Sequence, residues 1–397
     1  MNKPTSGDRV AIASERAVAA WTHAMRAPIP SAPVTSLVVL GDPQAPLAML
    51  FAHLDHQHLL TDDGWLRPDI GLICVGDYFD FAAEDAEDAG YQGVYFLAWL
   101  AAHDPAHVTI LMGNHDAERV MSLSDCSLEH YREAQSACRA MLQHQGPRVR
   151  RAFLDAWVAK HSQHPPMVAA HDYRSYVPAQ SDLVRRLLLQ GRMQLAATAR
   201  DDSGNTVLIT HAGVTRREME VLCSPVSAED CSHCLNAFLS DSVERVRPSW
   251  EEHGTQSLDL SPLYFGWGQA RPNGGCLIHR PDARSGMLTH DQKLGLDAPL
   301  APRSVMPVEF LIPALHQVVG HTVAVQRLVK WLAPRVTSAA IEASTGTLVS
   351  LFLQDGDPVL GVRSERGQNQ VSVTFVDVGL ALASIEHAAF LRLRPYV

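Results

Sequence analysis

Short apolar runs alternate with amphipathic segments through the first third of the chain. Between the runs lie segments with apolar residues at helical spacing, of which YQGVYFLAWLAAH at 91–103 is the clearest. Strands that alternate with helices in this way predict an α/β fold. The three runs, rich in Val, Ile and Leu as buried strands are, read TSLVVLG at 35–41, DIGLICVG at 69–76 and HVTILMG at 107–113.

The pattern divides the chain into regions of different character. Residues 1–33 predict a helix and a Pro-rich linker ahead of one larger domain at 34–397. From about 118 to 195 the spacing is almost wholly helical, which predicts a helical cap inserted into that domain. The stretch at about 215–310 has no clear period and predicts an irregular insertion. Further strands, with a closing antiparallel run, are predicted at 205–211, 316–321, 335–343, 346–354 and 370–381.

Composition narrows the range of partners. Of the 397 residues, 46% are hydrophobic and 19% charged, as expected for a globular protein with a large core. The net charge of −10 argues against binding to nucleic acid duplexes or anionic membranes, which need a basic surface. The apolar run GVYFLAWLAA is far shorter than the ~20 residues that span a bilayer. With no secretory signal and seven irregularly spaced cysteines, we expect a cytoplasmic protein; its oligomeric state stays open.

Polar residues follow five of the predicted strands. In open α/β sheets, ligands gather beyond the carboxyl ends of the strands. Asp, Asn and His side chains that meet at one rim would form an oxygen/nitrogen site for one or two divalent metals. Each of these residues alone is more often a turn or core residue, so their common order and placement carry the inference. They are Asp42 and Gln44, Asp77 and Asp80, Asn114, His115 and Asp116, His211, and His321.

These motifs resemble those of the calcineurin-like metallophosphoesterase superfamily. Its pattern is D-x-H, G-D-x-x-D, G-N-H-D/E, a strand-end histidine and G-H-x-H or G-H-T, and this chain has GDPQ, GDYFD, GNHD, THAGV and VVGHT in that order. The last two are most similar to the branch with phosphoprotein phosphatases and diadenosine tetraphosphatases. The resemblance implies a four-layer αββα sandwich with a helical insertion, carrying two metals at the strand ends.

The resemblance also implies a role for each motif residue. Two divalent ions are expected, Mn²⁺ first and Fe, Zn, Ni or Mg as alternatives. Asp77 would bridge both metals, Asp42 and Gln44 would serve the first, and the second would be held by Asn114, His211 and His321. His115, paired with Asp116, would stand near the leaving group as a proton donor.

Two departures from the family pattern affect this interpretation. Gln44 replaces the expected histidine, and its neutral carbonyl oxygen leaves the site's charge unchanged while favouring Mn²⁺ or Mg²⁺. The R-G of protein phosphatases is missing after GDYFD, which removes an expected phosphate clamp. We name three arginines that could replace it in binding substrate phosphate: Arg119, Arg271 and Arg280.

The sequence therefore predicts an enzyme, a metallophosphoesterase. It would hydrolyse a phosphate ester of a small molecule or nucleotide through a metal-bridging hydroxide that attacks in line. Three alternatives stay open: a serine/threonine protein phosphatase, a dinucleotide polyphosphatase or phosphodiesterase, and a catalytically silent scaffold with the same fold.

Overall fold

The structure is a computed structural model. The residues that it describes are 4–30, 32–144, 146–161, 170, 173–215, 227–265, 275–278, 312, 315–322, 347–354, 357–362 and 371–395. The strand predicted at 335–343 lies outside these ranges, as do Arg271 and Arg280.

The first sheet contains the three strands predicted near the N-terminus. Its strand order is β11-β1-β2-β3-β4, with β1 to β4 parallel and β11 antiparallel to β1. Leu40 pairs with Cys74, which pairs in turn with Ile110, so the carboxyl ends of β1, β2 and β3 lie at one edge. The strands are β1 Ser36–Leu40, β2 Ile70–Cys74, β3 Val108–Leu111, β4 Met193–Gln194 and β11 Leu391–Leu393.

The second sheet has the order β5-β6-β7-β10-β8-β9. Its central strands β6, β7 and β10 are parallel, and the outer pairings are antiparallel. Thr210 pairs with Val319, and Val319 with Phe375, so these central strands also end together. The strands are β5 Ala196–Arg200, β6 Thr206–Thr210, β7 His316–Val319, β8 Val349–Gln354, β9 Asp357–Val362 and β10 Val371–Phe375.

Helices pack around these sheets. The N-terminal helix α1 buries Ala13, Ala17 and Ala20 in the main hydrophobic core, and Arg9 pairs with Asp55 of α2 at 2.5 Å. None of the described helices combines the length and apolar character needed to cross a membrane. The helices are α1 Ser6–Thr22, α2 Leu47–His56, α3 Ala86–Ala102, α4 Asn114–Glu118, α5 Leu128–Gln143, α6 Pro147–His161, α7 Pro178–Leu189, α8 Ala228–Glu251 and α9 Ser261–Phe265.

A second, smaller core lies under α5 and α6. It includes Tyr131, Trp157, Tyr173 and Tyr176 and is separate from the main cluster of buried residues. The Tyr176 hydroxyl donates to the carbonyl oxygen of Cys126 at 2.6 Å, which ties the segment before α7 to the loop before α5. The helical region expected after residue 118 therefore has apolar packing of its own.

The α/β prediction is confirmed at the level of two mixed sheets with helices; the four-layer order stays a prediction. The stretch expected to be irregular contains the long helix α8, whose buried residues Leu235, Leu239, Val243 and Val246 have helical spacing. The region expected to be helical to 195 ends earlier, because β4 adds to the first sheet there. The two-residue strand β4 is stabilised by pairing with the distant strand β3, whereas β5 forms an antiparallel hairpin with β6, the next strand along the chain.

Candidate metal centre

The carboxyl ends of five strands bring five side chains to one place. Asp42, Asp77 and Asn114 follow β1, β2 and β3 of the first sheet, whereas His211 and His321 follow β6 and β7 of the second. Each of the five is at most 8% exposed. Two carboxylates and two imidazoles so deeply buried need a compensating partner, because burial of a charge is costly.

The centre of the cluster is the Nε2 atom of His211. It lies 3.1 Å from Oδ1 of Asn114, 3.1 Å from Nδ1 of His321 and 3.6 Å from Oδ1 of Asp77. One potential ligand atom each from Asp77, His211 and His321 lies within 4.8 Å of the others. These three buried residues could hold a metal ion.

The tautomer of His211 follows from its other ring nitrogen. Nδ1 lies 2.9 Å from the carbonyl oxygen of Val75, which can only accept, so Nδ1 carries the proton of a neutral ring. Nε2 then carries no proton, and its lone pair is directed at the amide oxygen of Asn114 and the carboxylate of Asp77. A lone pair that faces oxygen acceptors suits a cation, and at metal sites the other ring nitrogen of a histidine ligand usually donates to a carbonyl or carboxylate that fixes the ring.

Asp42 is held at the edge of the cluster. Its two carboxylate oxygens accept from the backbone N–H of His321 at 3.0 and 3.1 Å, and Oδ1 lies 3.9 Å from Nδ1 of His211. Gln44, two residues further on, is half-buried and makes no side-chain hydrogen bond to any described residue. Gln44 is therefore close to Asp42 in sequence, but no contact among the described residues assigns it a ligand role.

Glycines before the site residues permit the close approach of the turns that carry these residues. A Cβ at Gly113 would lie 2.1 Å from Oδ1 of Asp77, and one at Gly320 would lie 2.4 Å from Oδ1 of Asp42. Neither distance is possible between real atoms, so the site can form only around glycine.

Three residues of this region have backbone angles that favour glycine although they carry side chains. The φ angles are 60° at Asp77, 74° at Asp80 and 59° at His321. Non-glycine residues adopt this left-handed conformation at a cost of about 1–3 kcal/mol each, and such residues cluster at functional sites. The strain re-aims the side chains just after β2 and β7.

Asp80, not Asp116, orients His115. Nδ1 of His115 lies 2.7 Å from Oδ2 of Asp80, and its Nε2 lies 3.9 Å from Oδ2 of Asp77. The predicted pairing with Asp116 was wrong because adjacent residues of a helix do not face each other. Burial alone would lower the pKa of His115, but the carboxylates of Asp77 and Asp80 outweigh it and raise that pKa.

Asp116 has a structural role instead. Its carboxylate accepts three backbone N–H groups, from Asp77 and Gly113 at 2.8 Å and from Tyr78 at 3.1 Å. It therefore fastens the turn after β2 to the turn after β3. Burial, followed by the nearby charge of Asp77, raises the pKa of Asp116 to about 7.

Arg119 is buried rather than directed at a substrate. Its guanidinium donates to Oδ2 of Asp80 at 2.6 Å, to Oε1 of Gln180 at 2.9 Å and to the carbonyl oxygen of His115 at 3.1 Å. The prediction that Arg119 clamps a phosphate is corrected accordingly. Although burial would raise the pKa of Asp80, the charge of Arg119 and the hydrogen bond with His115 lower it well below the usual range.

The sequence reasoning missed the residues that complete this network. The carboxylate of Asp80 also accepts from the backbone N–H and the hydroxyl of Ser175, at 2.9 and 3.0 Å. Tyr173 packs its ring 4.9 Å from that of His115 and 5.2 Å from the Arg119 guanidinium. Asp80 was visible as the last residue of GDYFD, whereas Ser175 and Tyr173 follow no motif and come from a segment 95 residues further along.

Comparison with known proteins gives no family assignment. The sequence matches no protein-family model and no curated protein. It is similar to the solved structure of a cold-active protein-tyrosine phosphatase of a psychrophilic Shewanella species, at a TM-score of 0.39 and 13% identity over 93% of this chain and 78% of that chain. A mutant cold-active protein tyrosine phosphatase has a TM-score of 0.39 and 15% identity with the same coverage. Similarities this low assign neither a family nor a function to this chain.

Proposed function

We propose that this protein is a metal-dependent phosphoesterase. The observation that supports it is the convergence of Asp77, His211 and His321, joined by Asp42 and Asn114, from the strand ends of two different sheets. Packing alone gives no reason to bury these polar groups together. The combination of carboxylate, amide and imidazole ligands suits divalent metals of the first transition row.

Two groups of ligands would hold two metals. Asp42 and Gln44 would serve one ion, Asn114, His211 and His321 the other, and Asp77 would be shared. Bound divalent metals would neutralise charge on the phosphate oxygens and lower the pKa of a coordinated water. The oxygen-rich ligand set favours Mn²⁺, with Fe, Zn, Ni and Mg as alternatives.

The protein's own residues would assist the leaving group. Asp80 holds Nδ1 of His115, which leaves Nε2 of that ring, 3.9 Å from Oδ2 of Asp77, as the nitrogen that faces the cluster. We propose that this nitrogen donates a proton to the departing ester oxygen. Arg119 supports Asp80 from the buried side and would act as a positioning residue.

The substrate class that we propose is a small phosphorylated molecule or nucleotide. The net charge of −10 and the acidic segment EDAED after Phe81 disfavour an acidic phosphoprotein. With Arg119 committed to Asp80, recognition of the phosphate would depend mainly on the metals.

Turnover of simple phosphate esters with added metal tests the proposal. After chelation and dialysis, the protein should hydrolyse an aryl phosphate only when Mn²⁺ or another divalent ion is restored. Asp77→Asn and His211→Ala should lower kcat/KM by more than about 100-fold, since even residues behind the ligands cost 10–100-fold at metal sites. Asp63→Asn, on the exposed loop before β2, is the matched control and should leave turnover unchanged.

The same panel separates the alternatives. Faster turnover of phosphopeptides than of nucleotides would indicate a protein phosphatase, and cleavage of diesters or dinucleoside polyphosphates would indicate the second alternative. No turnover of any ester with any metal, by a folded chain, would contradict the proposal and leave the silent scaffold.

A further inference from the structure

A second group of metal-ligating side chains lies on the helical region, away from the strand ends. His130 and Glu133 are on α5, and His161 is the last residue of α6. One potential ligand atom from each lies within 4.8 Å of the others. His130 and Glu133 are three residues apart, which places them on the same face of α5, towards α6.

The two histidines have nitrogen atoms that the described structure leaves unsatisfied. Nε2 of His130 and Nε2 of His161 are both shielded from solvent and have no hydrogen-bond partner among the described residues. Such atoms are rare in folded proteins and call for an explanation. A bound ion that accepts both lone pairs would provide one.

The spacing is close to that of a tetrahedral site. Nε2 of His161 lies 3.6 Å from Oε1 of Glu133. Zinc bonds of ~2.0–2.1 Å to nitrogen and oxygen place neighbouring ligand atoms about 3.3 Å apart in a tetrahedron. A small movement of the half-exposed Glu133 side chain would complete this geometry.

Trp157 holds the histidine rings in place. Its ring centroid lies 4.0 Å from that of His161 and 5.6 Å from that of His130. Trp157 belongs to the small second core, so the rings are fixed by packing before any ion binds. Such preorganisation lowers the cost of assembling a metal site.

A competing explanation is a simple surface ion pair. Lys160 places its Nζ atom 2.5 Å from Oε1 of Glu133, and both side chains are substantially exposed. An ion pair of this kind contributes little and does not satisfy the two histidine nitrogens. The ammonium group can move into solvent when a cation takes its place.

We propose that His130, Glu133 and His161 form a Zn²⁺ site that links α5 to α6, with water as the fourth ligand. Two imidazoles and one carboxylate are a common zinc ligand set. The zinc link between α5 and α6 would stabilise the second core, in which the Tyr131 hydroxyl donates to the backbone carbonyl of Tyr173. Tyr173 contacts His115, so zinc would also steady one wall of the strand-end site.

Zinc binding by the full-length chain tests this proposal independently of phosphoesterase activity. Equilibrium dialysis with Zn²⁺ is followed by measurement of bound metal per chain for the parent, His161→Gln, Glu133→Gln and Lys160→Met. The parent should bind one more equivalent than His161→Gln, and Glu133→Gln should weaken that equivalent by about 10-fold or more. Lys160→Met should keep it or bind it more tightly, because the competing ammonium is gone.

Two further measurements keep the result unambiguous. The first is zinc binding by His211→Ala, which removes a proposed ligand of the strand-end site; this variant should still bind the extra equivalent of zinc. The second is amide hydrogen exchange of the parent, which Zn²⁺ should slow at 128–161. Glu133→Gln alters a half-exposed side chain and decides the matter if His161→Gln perturbs folding. Equal zinc binding by the parent, His161→Gln and Glu133→Gln, or loss of the equivalent in Lys160→Met, would overturn the proposal.

Discussion

At the scale of single residues, His115 shows how a site is built from unrelated segments. Its ring is held by Asp80, which in turn is held by Arg119 and by Ser175. The side chains of this hydrogen-bonded series are buried or nearly so, and those of Asp80 and Arg119 are completely buried. A buried carboxylate with every oxygen satisfied fixes the ring better than an exposed one could.

We expect Asp80→Asn to damage His115 as a proton donor. Loss of the carboxylate removes support for the protonated ring, so kcat on alkyl phosphates should fall by about 10²-fold. Activated aryl phosphates, whose leaving groups need less protonation, should lose much less. Steady-state rates on a matched pair of esters measure the difference.

A double substitution separates this role of Asp80 from a purely structural one. If Asp80 acts through His115, adding Asp80→Asn to His115→Ala should cost little further activity. Additive losses, or equal losses on both ester types, would contradict the role. Thermal unfolding of each variant shows whether the unpaired charge of Arg119 has destabilised the fold.

At the scale of elements, the turns after the strands matter more than the strands themselves. Four of the five site residues directly follow a glycine, and two of these glycines, Gly113 and Gly320, lie against carboxylates from other turns. The strands bring the chain to the edge of the sheet, and these turns direct the side chains inward.

We expect Gly320→Ala to disrupt the site. Its Cβ would overlap Oδ1 of Asp42 at 2.4 Å and Cγ2 of Val75 at 2.5 Å, so the turn after β7 must move. Overpacking of this kind costs about 1–3 kcal/mol in the free energy of unfolding. Urea unfolding and bound Mn²⁺ per chain measure the two effects.

Gly7→Ala is the control for that substitution. A Cβ there lies 3.9 Å from its nearest neighbour, the Oγ1 of Thr5, within the first turn of α1. Alanine in a helix is favoured by roughly 0.5–1 kcal/mol over glycine, so this variant should be as stable as the parent or more so. Equal effects of both substitutions would argue against close packing at Gly320.

At the scale of the whole molecule, the two sheets are joined and the helices cover them. The backbone of Arg200 in β5 exchanges two hydrogen bonds with that of Arg394 after β11, so the sheets meet at their edges. At the C-terminal end of α3, His103 packs its ring against those of Trp65 and Trp99. Its Nδ1 donates to the carbonyl oxygen of Trp99, and its Nε2 accepts from the N–H of Leu66.

We expect the free energy of unfolding to decrease as the pH is lowered, because His103 is buried in its neutral form. Burial, only partly offset by its hydrogen bonds, lowers the pKa of His103 to about 4 from the ordinary 6.5. The unfolded chain takes up the proton first as pH falls, so the contribution is complete above about pH 6.5 and is lost towards pH 4. The loss is up to about 3 kcal/mol in the free energy of unfolding.

Urea unfolding as a function of pH checks this expectation. His103→Gln, whose amide can donate to Trp99 and accept from Leu66, should flatten the curve between pH 6.5 and 4. His56→Gln, at an exposed position of α2, should leave it unchanged. Parallel curves for the parent and His103→Gln would show that another group controls acid unfolding.

The sequence by itself determined the α/β class, the strands that lead to Asp42, Asp77, Asn114, His211 and His321, and the order of these residues. It could do so because buried strands and helices have periods that local residues impose. The sheet order, the antiparallel β11 and the strand β4 depend on pairing between distant segments, which no local period records.

Only the tertiary structure decided the partners within the site. Contacts in three dimensions show that Asp80, and not Asp116, holds His115. They also show that Arg119 is buried and that Ser175 completes the network. Hydrogen bonds and ion pairs act over a few ångströms of space, whereas the sequence orders residues along the chain. A motif can name the residues that carry chemistry, but contacts across the fold assign each of them its partner.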